Sequence, residues 1–150
     1  MKRTALITLL ALAILLLAAC GSRTALTSAD FTTRMQNAGH TVEDITQLES
    51  LAGVETFLLA DTGRFTVQFL IYEEESGARG IFNQVQRAME DDRGSSRTYT
   101  QRNGSNFNRF TQRTDGRFEA IARVENTLLV IETTVELRNE AQAILDLLGY

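Results

Sequence analysis

Apolar and polar positions change rhythm several times along the 150-residue chain. The first stretch has no rhythm: Ala5 to Ala19 is apolar except for Thr8, it follows Lys2 and Arg3, and Gly21 to Thr24 turns polar at once. A helical period comes next. Phe31, Met35 and Ala38 fall three to four residues apart, the spacing of one helix face. Thr27 and Asp30 have the spacing of a capping box, Leu26 and Phe31 that of a hydrophobic staple, and Gly39 supplies a left-handed stop. The period then shortens to two. Thr41–Thr46 is a weak strand and Val54–Ala60 a better one, with Asp61-Thr62-Gly63 as the loop of a hairpin. Phe65, Val67, Phe69 and Ile71 alternate with Arg64, Thr66 and Gln68, which predicts a strand with one dry face and one wet face.

A second helix is predicted from Ser76 to Glu90, with Ala78, Ile81, Phe82, Val85, Ala88 and Met89 as its apolar stripe. Glu73, Glu74 and Glu75 stand at its start, where the helix dipole favours negative charge. Residues 93–117 are polar and rich in arginine. They hold two edge-like strands, near 97–102 and 106–113, broken at Asn103-Gly104, and Asp115-Gly116 is a two-residue hairpin signal. Phe118–Val124 alternates again, Glu125-Asn126 is a turn, and Thr127–Val135 is a β-branched strand. A last helix runs from Glu136 to Leu148 and is capped by Gly149. Hairpins punctuated by helices predict the α+β class: an antiparallel β-sheet with about three helices packed on one face. Gly63-Arg64-Phe65 and Gly116-Arg117-Phe118 recur at hairpin exits, a hint of two loosely related β-β-α halves.

The N-terminal run carries an address. Two cations, a short apolar stretch and small residues at the end make a secretory signal, and the run is short for a membrane-spanning helix, which needs about 20 apolar residues. Leu17-Ala18-Ala19-Cys20 resembles the lipobox of bacterial lipoproteins. The resemblance implies a diacylglyceryl group on the Cys20 thiol, signal-peptidase cleavage between Ala19 and Cys20, and acylation of the new amino group. Two or more acyl chains hold a protein stably where one holds it marginally. Cys20 is also the only cysteine, and an odd cysteine in an exported protein asks for such an explanation. The expected organisation is a signal peptide over 1–19, a lipid anchor and short tether over 20–26, and one α+β domain over 27–150. The expected place is the bacterial cell membrane or outer membrane, with the domain facing outside the cytoplasm. From Leu26 onward the chain is similar in layout to small uncharacterised secreted lipoproteins, through "LTSADFTTRMQNAGHTVED", "ARVENTLLVIET" and the closing "ILDLLGY". That likeness implies no catalytic residues.

Charge and chemistry narrow the function without naming it. Without residues 1–19 the chain has 13 arginines, no lysine and 19 acids, a formal charge of −6. No proline or tryptophan is present, and no disulfide is available. The single histidine, His40, falls in a polar turn. No zinc, calcium or phosphate-loop pattern occurs, so no metal or cofactor is implied and no catalytic residue stands out. The charges are unevenly placed. Residues 24–92 hold 12 acids and 4 arginines, whereas residues 93–123 hold 7 arginines and 2 acids, interleaved with Tyr99, Phe107, Phe110 and Phe118. Arg93, Arg97, Arg102, Arg109, Arg113 and Arg117 therefore form a candidate patch for an anionic partner, namely a lipid headgroup, a wall polymer or an acidic protein. The same arginines could instead pair with the acids at 73–75 and 90–92 and guard strand edges. Export and the acidic total disfavour nucleic acid. The expected function is a membrane-anchored binding or accessory module; the alternatives are a small carboxylate-based hydrolase and a structural envelope component.

Overall fold

The computed structural model describes residues 22–49, 51–92 and 98–150. The signal and lipobox, with Ala19 and Cys20, lie outside the described residues, as do Arg93 and Arg97. Seven strands form one antiparallel sheet: β1 (Thr41–Asp44), β2 (Val54–Asp61), β3 (Thr66–Tyr72), β4 (Thr98–Asn103), β5 (Phe107–Arg113), β6 (Arg117–Val124) and β7 (Thr127–Thr134). Their spatial order is β1-β2-β3-β7-β6-β5-β4. Two meanders therefore meet at the centre, where β3 pairs with β7 and Phe69 lies opposite Leu129. The helices are α1 (Ser28–Asn37), α2 (Thr46–Glu49), α3 (Glu75–Asp91) and α4 (Arg138–Leu148), the last entered through a 3-10 turn at Val135–Leu137.

The α+β class and the antiparallel sheet are as the sequence pattern predicts, but the helices are divided between two faces. On the first face α1 and α4 bury Phe31, Met35, Leu145 and Leu148 against Val67, Phe69, Ala120 and Leu129. On the second face α3 buries Ala78, Phe82 and Met89 against Leu70, Tyr72, Ile121 and Leu128. The expectation of one helical face is corrected by the strands themselves. Leu70, Tyr72, Ile121 and Leu128 are apolar at the parity expected to be wet, so the sheet has a second dry side and needs a second cover.

Local signals hold at the ends of the elements. Thr27 caps α1, with the Asp30 amide donating to its Oγ1 at 3.1 Å and the reciprocal bond also present. Gly39 and Gly149 take the left-handed backbone that stops α1 and α4, at φ 87° and 84°. Packing begins ahead of α1: Leu26 is buried, and the Arg23 main chain is held by Asn106 on both sides, N to Oδ1 at 2.9 Å and Nδ2 to O at 2.7 Å.

Four exposed carboxylates tie this framework to pH, one of them Glu136, held below its usual 4.5 first by its hydrogen bond with Thr134. Asp30 is held below its usual 3.8 by hydrogen bonds from Thr27, and Asp44 likewise by Thr46. Glu75 is held below its usual 4.5 by hydrogen bonds from Arg79 and Arg123. Each folded value lies under the unfolded one, so the stabilisation is complete above about pH 4.5 and is lost as pH falls through the lowered values. The urea midpoint should therefore fall between about pH 4.5 and pH 2.5, and fall less in Thr27→Ala, where Asp30 has lost its cap. A midpoint that rises over that range would contradict this.

Candidate functional site

Helix α3 has 17 residues, about 25 Å, and crosses the second face over β3, β7 and β6. Over β2, among the described residues, the helical cover is the short α2, and a cleft of about 440 Å³ stays open between α3 and the sheet. The floor is Val54, Phe57, Leu70 and Leu128; Ile81 and Val85 form the helical wall, and Leu51 stands at the rim. Leu51 is 44% exposed, and Leu48, on α2 just before it, is 76% exposed. Large apolar side chains thus lead from solvent into an apolar hollow. The volume is within the roughly 300–1,000 Å³ of small-molecule sites, which are mainly apolar with a few placed polar groups.

Two polar side chains line this cleft, Gln68 and Tyr72. The Tyr72 main chain is fixed to Asn126, N to O at 2.9 Å and O from Nδ2 at 2.7 Å. Its ring rests on the first turn of α3, where a Cβ on Gly77 would stand 3.2 Å from it. Burial pushes the Tyr72 hydroxyl above its ordinary pKa, so it stays a neutral donor and acceptor. Gln68 and Val130 also line a neighbouring, more polar hollow of about 570 Å³ with Thr66, Arg117 and Glu132. The apolar cleft therefore opens at one end onto hydrogen-bonding groups.

The arginine patch does not assemble as one surface. Register puts Arg102, Arg109 and Arg113 on the first face and Arg117 on the second, because Phe118 and its alternates face the first core. Arg117 is paired with Asp92 and approaches Glu132 at 3.8 Å; Asp92 first, then other neighbouring acids, holds its guanidinium above the ordinary pKa. Arg113 donates to Thr98 Oγ1 at 3.3 Å. Arg123, on the second face, is buried against Asn108 Oδ1 at 3.0 Å, Glu75 at 2.9 Å and the Glu125 carbonyl at 2.8 Å. Pairing with the acids at 73–75 and 90–92 thus accounts for Arg123 and Arg117. Arg109 is buried and bonded to Asp146 at 3.2 Å and the Tyr150 main-chain oxygen at 2.7 Å.

The hydrolase alternative would need two carboxylates aimed at one substrate. Glu119 and Glu132 do stand opposite each other on β6 and β7 and line one hollow. Each is turned to a different partner, however: Glu119 accepts from Gln112 Nε2 at 2.7 Å, and Glu132 faces Arg117. Among the described residues no group of His, Cys, Asp and Glu is placed to hold a metal ion. His40 sits half-buried after the Gly39 stop, its amide bonded to the Met35 carbonyl.

Fold and site together define an α+β domain with an open apolar cleft beside α3. No family model matches the chain, and no curated protein matches it. Among solved structures, a crystal structure of a GTP binding regulator from Thermotoga maritima is similar at 16% identity and a TM-score of 0.48, covering 85% of this chain and 90% of that one. Likeness at that level carries nothing about the role of this chain.

Proposed function

We propose that the chain is a membrane-anchored extracytoplasmic binding module. Acyl chains on Cys20 hold it to a bacterial membrane, and the cleft beside α3 takes a small, mostly apolar ligand. The observation that carries the binding half is the cleft itself: an apolar floor and wall, the exposed Leu51 at its rim, and Tyr72 and Gln68 to orient a single polar group. A fully covered sheet would serve a purely structural envelope component, and closing the cleft would need only a longer α2. Keeping Leu48 and Leu51 in water is a standing cost that a ligand removes. The anchoring half is supported by the lipobox resemblance at Leu17-Ala18-Ala19-Cys20. It also agrees with the clamp on Arg23, which leaves little free chain between anchor and domain. Titration of Gly21–Tyr150 with a fluorescent acyl chain tests the binding half. One saturable site supports it, and absence of saturable binding overturns it.

A further inference from the structure

Arg23, Arg102 and Arg109 come from distant parts of the chain and meet on the first face, at the end of the sheet where α4 finishes. Arg102 and Arg109 are direct cross-strand partners on β4 and β5, so their side chains leave the same face together, and like charges so placed repel. Arg23 joins them. Its guanidinium lies 4.2 Å over the Phe107 ring, two residues before Arg109 on the same face. Arg23 Nη1 donates to the Gly149 carbonyl at 3.0 Å and Arg109 Nη1 to the next main-chain oxygen, that of Tyr150, at 2.7 Å. The two guanidiniums therefore grip adjacent main-chain oxygens.

Negative charge does not balance this group. Among the described residues Asp146, 3.2 Å from Arg109, is the one side-chain carboxylate in ion-pair contact with the three. Even a terminal carboxylate on Tyr150 would leave three cations to two anions. Burial, then Arg109 and Arg102, lower the proton affinity of Arg23, and Asp146 opposes them. Each guanidinium has five N–H donors. Among the described residues Nη1 is the one hydrogen-bonding guanidinium nitrogen on Arg23 and on Arg109, and Arg102 has no ion pair. A costly cluster of cations with unused forked donors matches the oxygens of a phosphate group.

We infer that Arg23, Arg102 and Arg109 form a phosphate-binding site. Arg23 is three residues from Cys20, at most about 11 Å of chain, so the phosphodiester of a membrane lipid headgroup is within reach; a free phosphate ester is the other source. The lipid source rests on the proposed anchoring, whereas the site is independent of the cleft.

The test uses Gly21–Tyr150, which holds every described residue of both apolar clusters. Inorganic phosphate is titrated while the arginine Nε–H resonances are followed by NMR. In parallel the chain is sedimented with vesicles of phosphatidylglycerol in phosphatidylcholine. Phosphate should shift Arg23, Arg102 and Arg109 saturably and leave Arg79 and Arg138 unmoved. Arg102→Gln, at an exposed position, should weaken vesicle binding about fivefold for the one charge removed without changing thermal unfolding. Saturable phosphate shifts without vesicle binding would keep the site and assign it to a free phosphate ester. No saturable shift at these three arginines, or shifts at Arg23 and Arg109 undiminished in Arg102→Gln, would overturn it. Acyl-chain binding in the cleft should be unaffected throughout, so failure here is distinguishable from failure of the cleft.

Discussion

Phe69→Ala should lower the unfolding free energy by about 3–5 kcal/mol, as truncation of a fully buried aromatic side chain does. Phe69 is completely buried on β3, next to the central strand β7, where it lies opposite Leu129 and under Phe31 of α1. Its ring stacks on that of Phe31 at 4.5 Å between centroids and 7° between planes, and such pairs add about 0.5–1.5 kcal/mol to what burial alone gives. The alanine variant therefore opens a cavity, leaves Phe31 without its partner and loosens α1 against the sheet. Domains of this size are stable by only about 5–15 kcal/mol, so the variant should unfold at much lower urea. Leu48→Ala, at an exposed position, should move stability by less than about 0.5 kcal/mol. A Phe69→Ala loss under 1 kcal/mol would contradict the packing described.

Cys20→Ser should abolish acylation completely. The thiol is the nucleophile that lipidation needs, and a serine hydroxyl at the same place does not replace it. On the anchoring proposal the acyl chains hold the mature protein, and two or more are needed for stable retention. Labelled palmitate should enter the parent chain and be absent from the variant. The mature mass of the parent should begin at residue 20 with acyl groups added. A parent chain that keeps residues 1–19 and takes up no label would remove the anchoring proposal.

Element order was readable from the sequence because each element carries its own local signal: the Thr27–Asp30 box, the Gly63 and Gly116 turns, the stripe of α3. The short α2 was not, since four residues show no period. Face assignment failed for a physical reason. An apolar stripe says that a helix has a dry side, not which side of the sheet it meets. The signal that could have settled it lay in β3 and β7, where Leu70, Tyr72, Leu128 and Val130 are apolar at the supposedly wet parity. Those residues also line or floor the cleft. The splitting of the arginines was legible too, because Arg117 alternates with Phe118 and must leave the opposite face from Ala120 and Ala122. The approach of Arg23 to Arg102 and Arg109 was not, for it depends on Asn106 catching the chain 83 residues away.

The cleft is tested most directly by titrating a fluorescent acyl chain into the native protein and into Val85→Trp side by side. Val85 is half-buried on the helical wall, so an indole there fills the hollow while leaving both cores in place. The account predicts one saturable site in the native chain, a loss of at least about tenfold in affinity in Val85→Trp, and unchanged thermal unfolding. Equal affinity in the two chains, or no saturation in either, would contradict it.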